Sequence, residues 1–295
     1  VVDNAARRTH LEQRNGGRTV QRRSFLSSSI ALAGFGAGVG AQQAVPRKGR
    51  LKQSATRGCF GKGATIETMC REGARLGLKG LDFVGPADWP LLKKYGLVAA
   101  MCSGTTGINH KENHAKAEPQ LVENILRAAE AGWPNVIVTF AQRKGLSDEE
   151  GLENSVAFLK RVKNVAEDKG VTICLEVFNS KVDHPDAQAD STRWVVEICK
   201  RVESPRVKIL YDIYHMQIME GDIIRTIRNN IQYIGHFHTA GNPGRHEIDD
   251  TQELNYGAIA RAIADLNFTG FIGHEYTPLR DPLKSLDQAI TICDV

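Results

Sequence analysis

The sequence predicts an α/β protein folded as a (β/α)8 TIM barrel, with eight parallel strands closed into a cylinder and helices outside, and two patterns carry that prediction. Beyond a basic leader and a polar linker, short β-branched or apolar runs alternate with amphipathic helical runs to the end of the chain. Four of the later runs are VTICLEVFN (171 to 179), VKILYDIYH (207 to 215), IQYIGHFHTAG (231 to 241) and GFIGHEYTP (270 to 278), and each ends in a residue type that binds metals: Glu176, Asp212, His238 and Glu275. These four residues stand 36, 26 and 37 positions apart. That is close to the ~31 expected when ~250 residues are shared among eight strand-helix units. Their side chains should meet at one mouth.

Taken in order, strands are predicted at RGCF (57 to 60), GLKGLDFV (77 to 84), LVAAMCS (97 to 103), NVIVTFA (135 to 141) and the four ligand-bearing runs. Helices are predicted at about 64 to 76, 88 to 95, 119 to 131, 148 to 169, 191 to 202, 222 to 230, 256 to 266 and 282 to 293. Ser147, Asp148 or Glu149 suits the start of the long fourth helix, Gly170 its end, and Pro205 the break before VKILYD. Leu121, Ile125 and Leu126 offer an apolar helix face to the outside of the sheet. An open doubly wound sheet would give the same alternation, but no complete G-x-G-x-x-G follows the first predicted strand.

Composition is that of an ordinary globular chain, with 41% hydrophobic and 24% charged residues. The net charge of +4 comes from the first 41 residues, where Arg7, Arg8, Arg14, Arg18, Arg22 and Arg23 face only Asp3 and Glu12. Subtracting these from 38 basic and 34 acidic residues leaves 32 of each. A chain this close to neutral lacks the basic footprint of a nucleic-acid binder. Residues 1–41 read as a leader with a twin-arginine export signal: Arg22 and Arg23, then Ser24, Phe25 and Leu26, then a glycine-rich apolar run with cleavage expected before Gln42. A buried helix there would carry four glycines, Gly34, Gly36, Gly38 and Gly40, each costing ~1 kcal/mol against alanine. Export by the twin-arginine machinery to the periplasm is the expectation, with no stable membrane span. A linker is expected at 42–56 and the catalytic barrel at 57–295. The six cysteines form no C-x-x-C pair and read as buried free thiols.

Side chains alternate along a strand, so Glu176 shares a face with Cys174, Asp212 with Leu210, and Glu275 with Gly273. One carboxylate at a strand end more often caps a helix or meets water. Four ligand types on four consecutive strands are another matter, because buried carboxylates need a hydrogen bond, a counter-charge or a cation. Three carboxylates with one imidazole favour one Mn²⁺ or Mg²⁺, with Co²⁺ or Zn²⁺ admitted. His236 shares the face of His238 one layer deeper and reads as an interior hydrogen-bonded histidine, while His274 should face away and be structural. Phe60, Phe140 and Trp89 read as core or rim aromatics, with Phe60 the fairest candidate to reach the mouth; Asn109, His110 and His114 read as the polarity of a mobile loop.

The motifs LEVFN, YDIYHMQ, HFHTAGNPGRHEIDD, ELNY and GHEY, with weaker likeness back through GLKGLDFVGPADWPLLKKYGL, resemble the hydroxypyruvate isomerase family. That family sits within the xylose isomerase-like TIM barrels, beside ketose 3-epimerases, inosose dehydratases and endonuclease IV. The resemblance implies that Glu176, Asp212, His238 and Glu275 bind the divalent metal, that Glu176 and Glu275 are also the acid/base pair, and that His215 and Arg245 hold substrate. Isomerases of this kind often carry Gln where His238 stands, and the sugar epimerases usually carry His.

The function expected is a metal-dependent isomerase that interconverts a small hydroxy-aldehyde and hydroxy-ketone through an enediolate, with proton transfer between two glutamates. Ketose 3-epimerisation and keto-sugar dehydration begin with the same proton removal and stand as alternatives. A noncatalytic sugar-binding barrel would not need both Glu176 and Glu275, and an endonuclease IV-like hydrolase would need more histidines and a basic face. The partner expected is a small hydroxy-carbonyl or sugar substrate; a homo-oligomer is compatible with the sequence.

Overall fold

The computed structural model describes residues 44–295. The leader and the start of the linker lie outside the described residues. Eight parallel strands close into a barrel in chain order, each neighbour paired with the next and the last with the first. They are β1 (Lys52–Ala55), β2 (Gly80–Asp82), β3 (Val98–Thr106), β4 (Asn135–Thr139), β5 (Thr172–Glu176), β6 (Val207–Asp212), β7 (Ile234–Thr239) and β8 (Phe271–His274). Around them run α1 (Ile66–Leu76), α2 (Trp89–Lys94), α3 (His114–Ala131), α4 (Asp148–Lys169), α5 (Thr192–Val202), α6 (Ile213–Met219), α7 (Ile223–Asn230), α8 (Tyr256–Asp265) and α9 (Pro282–Cys293). Among the described residues no helix is long and apolar enough to cross a membrane.

The first strand departs from expectation. RGCF is a short 3-10 helix, and β1 lies inside the stretch expected as linker. Its sequence, KQSA, has no β-branched residue and one apolar one, because its buried face is polar. Gln53 points outward, where its amide donates to the Ile290 carbonyl of α9 and its Oε1 bonds His274 at 3.0 Å. Phe60 does not reach the mouth. It packs beneath α1 beside Gly73 in the outer core.

Boundaries set by local chemistry agree with the sequence reading. Ser147 and Glu150 form a reciprocal capping box at the start of α4, and Gly170 ends that helix in the left-handed region at φ 69°. Leu121 and Ile125 are buried against the sheet, but Leu126 is 42% exposed, one step round from the face that α3 turns inward. All six cysteines are free and buried. Asn109 and His114 are buried rather than loop polarity. Asn109 bonds Gln188 at 2.8 Å and both polar groups of Ala141, and His114 bonds the Ile108 carbonyl at 2.8 Å.

Two cores result. The larger one fills the space between strands and helices; a small one of Met101, Cys174 and Leu210 plugs the barrel interior. Two residues further along β5 and β6 from Cys174 and Leu210 stand Glu176 and Asp212, so the apolar plug is the floor under the carboxylates.

In β3 the register shifts between Cys102 and Thr105, and there Gly104 comes so close to β4 that a Cβ would lie 1.9 Å from the Ile137 carbonyl oxygen. Gly104→Ala should therefore lower unfolding free energy by about 1–3 kcal/mol in denaturant titration. Gly85→Ala, where an added Cβ would meet no atom of the described residues within 4 Å beyond its chain neighbours, should change it by less than about 0.5 kcal/mol. Equal midpoints for the two variants would refute the close-approach explanation.

Candidate active site

Glu176 and Asp212 are the last residues of β5 and β6, His238 is the last but one of β7, and Glu275 follows β8 directly. One oxygen or nitrogen from each of the four lies within 4.8 Å of those from the others. The strand register explains the convergence. Asp212 pairs with His238, and His238 with Gly273, so consecutive strands deliver their side chains at one height. Glu275 then enters one step above Gly273.

His238 is the centre of this group. Its Nε2 lies 3.1 Å from Asp82 Oδ2 at the end of β2, and its Nδ1 lies 2.9 Å from Glu275 Oε2 and 3.4 Å from Glu176 Oε1. Asp82 also takes His236 Nε2 at 2.9 Å on the same oxygen. Burial disfavours the Asp82 charge, yet the two imidazoles hold its carboxyl well below the usual carboxylate range. An ionised Asp82 only accepts, so His238 donates through Nε2 and turns Nδ1 toward the glutamates. The residue that makes this contact possible is Gly273. A Cβ there would stand 2.4 Å from Asp82 Oδ2 and 2.9 Å from the His238 ring.

Asp212 divides its oxygens. Oδ1 accepts from the His215 backbone N–H at 3.1 Å, starting α6, and this leaves Oδ2 for the cluster, 3.6 Å from His215 Nε2 and 3.7 Å from Arg245 Nη2. Arg245 also bonds Glu275 Oε2 at 2.9 Å, from a backbone at φ 58° in the loop after β7. Its guanidinium stands 5.4 Å from the Tyr214 ring centre. Phe83, 38% exposed, meets the His238 ring edge-on at 5.7 Å. The mouth thus has a charged side and an aromatic side.

Electrostatics separate the two glutamates. Burial pushes the Glu176 carboxyl up, with the neighbouring Glu275 charge adding to it. Burial acts on Glu275 in the same direction, but His238 and Arg245 overcome it and hold Glu275 low. Burial would also strip His238 of charge; Glu275, Asp82 and Glu176 reverse that and raise its pKa well above the usual value. The donor set fits a divalent cation. Buried carboxylates crowd one another here, and His238 Nδ1, fully buried, has no partner of hydrogen-bonding geometry among the described residues.

All six site residues expected from the sequence lie in this cluster. His236 and His274 are interior histidines as expected, the latter bonded to Thr239 and Gln53. Glu247 is buried and accepts from the Leu279 and Arg280 backbone and the Ser285 hydroxyl. Asp82 was missed. The available signal was its place at the end of a strand, the same place Glu176 and Asp212 occupy. Asp82, His236 and His238 also group as metal-ligand types, but the two ring nitrogens face one oxygen at hydrogen-bond distance.

A closed barrel with ligand-type residues on the ends of its later strands defines the class of protein. The sequence profile of the xylose isomerase-like TIM barrel family matches residues 90–292, and the chain belongs to that family. Among curated relatives, 2-oxo-tetronate isomerase of Cupriavidus necator is 38% identical over 115 residues, covering 39% of this chain and 44% of the relative. Hydroxypyruvate isomerase of Escherichia coli is 33% identical over 134 residues, 45% of this chain and 51% of the relative. The chain thus spans about half the length of these relatives. Among solved structures, an AP endonuclease of family 2 from Brucella melitensis superposes with a TM-score of 0.73 at 22% identity, over 80% of this chain and 96% of that one. Agreement at that identity concerns the fold.

Asp82→Ala should leave two buried imidazoles without their acceptor. The expected cost is about 1–3 kcal/mol of unfolding free energy in the metal-free protein, measured by urea titration. An unchanged midpoint would mean that the Asp82 contact contributes nothing to holding His238.

Proposed function

We propose that this protein is a divalent-metal-dependent isomerase acting on a small hydroxy-carbonyl acid, of the kind represented by the hydroxypyruvate and 2-oxo-tetronate isomerases it resembles. The observation that carries the reading is the convergence of Glu176, Asp212, His238 and Glu275 within 4.8 Å at the mouth of the barrel. These four residues would hold the cation, Mn²⁺ or Mg²⁺ by the hardness of three carboxylate donors. When bound, such an ion supplies Lewis acidity that stabilises negative charge developing on the substrate's oxygens.

The chain's own groups supply the rest. Glu176 and Glu275 reach His238 Nδ1 from two different strands, with oxygens at 3.4 and 2.9 Å. A substrate bound between them presents its reacting carbons to both carboxylates, so that one takes a proton from carbon and the other returns one. Arg245 matches a carboxylate, which its fork binds with two parallel hydrogen bonds; its present tie to Glu275 uses only one nitrogen. His215 adds a polar contact beside Asp212, and Phe83 covers the opposite side and keeps water from the intermediate.

Ketose 3-epimerisation is the second reading. It rests on His238, the residue that the sugar epimerases usually carry at this position. Export to the periplasm through a twin-arginine leader remains part of the proposal, motivated by Arg22, Arg23 and the glycine-rich run after them.

Solvent deuterium incorporation, measured with Mn²⁺ over hydroxypyruvate, 2-oxo-tetronate and ketohexoses, tests the reading. Exchange is expected with the keto acids and should be lost in Glu176→Gln and in Glu275→Gln; full exchange in either variant removes that residue from the acid/base pair. Exchange confined to ketohexoses would establish the second reading instead.

Metal affinity should rise with pH. Glu176 and His238 both have raised pKa values in the metal-free protein, so each holds its proton to higher pH and must release it to become a ligand. Calorimetric titrations with Mg²⁺ in buffers of different ionisation enthalpy should therefore show proton release, and affinity should weaken as pH falls. Affinity independent of pH would contradict this ligand set.

A further inference from the structure

One fully buried polar group near the site has no part in the reaction just described: Asn179, three residues beyond Glu176. Its Oδ1 accepts from the backbone N–H of Val182 at 3.0 Å and of Asp183 at 2.8 Å. Both of those partners are donors only. The atom facing them must therefore be the oxygen, and the opposite side of the amide must be the NH₂ group. That group donates to Asp183 Oδ2 and to His215 Nδ1, each at 2.6 Å. A ring nitrogen that accepts a hydrogen bond carries no proton. His215 is left with its hydrogen on Nε2.

The placement of that nitrogen is informative. His215 is fully buried, and its Nε2 has no hydrogen-bond partner among the described residues. The nearest carboxylate oxygen, Asp212 Oδ2, is 3.6 Å away, too far for a hydrogen bond. The ring is held on its other sides by Phe178, His184 and Tyr214, with centroids at 5.4, 5.2 and 5.2 Å. A buried donor without an acceptor, aimed at the cluster of Asp212, Arg245 and Glu275, is a donor whose acceptor arrives from outside.

We propose that Asn179 is a positioning residue that holds His215 in the neutral Nε2–H form, and that this N–H donates to an oxygen of the substrate. The first half stands on the hydrogen bonds alone; the second rests on the isomerase reading. Among the described residues no other group competes for Nδ1. Asp183 Oδ2 lies 4.0 Å from it and is itself bonded to Asn179.

Nitrogen-15 NMR of the full chain loaded with diamagnetic Mg²⁺ tests the first half without any variant. His215 should carry its proton on Nε2; a proton on Nδ1 would overturn the proposal. Asn179→Asp tests the link to function, because a carboxylate still accepts from both backbone N–H groups but presents an acceptor to Nδ1. The proton should move to Nδ1, and kcat for hydroxypyruvate exchange should fall about 10- to 100-fold, as for other groups that orient a reacting residue. Mg²⁺ affinity should be unchanged, which separates this role from metal binding. A shifted proton with unchanged kcat and KM would overturn the donor role. Absence of hydroxypyruvate exchange in the unmodified protein would sink the isomerase reading and the donor role with it, while the NMR result would still decide what Asn179 does.

Discussion

The site depends on one carboxylate, Asp82, wedged between His236 and His238 near the axis of the barrel. Two imidazoles buried without acceptors would each cost about 1–3 kcal/mol. One oxygen satisfies both. In doing so it commits Nε2 of His238 to donating and turns Nδ1 toward Glu176 and Glu275, so the direction of that nitrogen is set from below the site. The arrangement needs space that no side chain could share, and Gly273 on the neighbouring strand leaves it.

Above that anchor the problem is charge. Glu176, Asp212 and Glu275 gather over an apolar floor of Met101, Cys174 and Leu210. In such a place carboxylates repel one another and lose hydration, and the opposed pKa directions of Glu176 and Glu275 express that conflict. Arg245 and His238 offset part of it. A bound cation would offset more, and this is why a cluster unfavourable as a fold element reads as a functional one. The residues around it are constrained accordingly: Asp212 gives one oxygen to the first turn of α6, and Asn179 uses both polar atoms of its side chain on His215 and its own loop.

Much of this was legible in the chain. Glu176, Asp212, His238 and Glu275 each close an apolar run, and the strand period alone puts them on the inner face. Asn179 and Asp82 were not legible, for different reasons. Asp82 ends a strand of only three residues whose periodicity is too short to read. Asn179 follows its strand in a loop, where Asn is ordinary turn chemistry. β1 escapes a reading by period because its buried side chains Gln53 and Ser54 are polar, and the partners of Gln53 lie more than two hundred residues away.

The sequence by itself determined the alternation of strands and helices, and with it the barrel and the strand ends that bear ligand types, because hydrophobic period and capping are local properties of the chain. Tertiary structure decided which nitrogen of His238 faces the glutamates, which tautomer His215 adopts, and why position 273 is glycine. Those outcomes depend on hydrogen bonds and close approaches between strands that meet only when the cylinder closes. No window of sequence contains both partners.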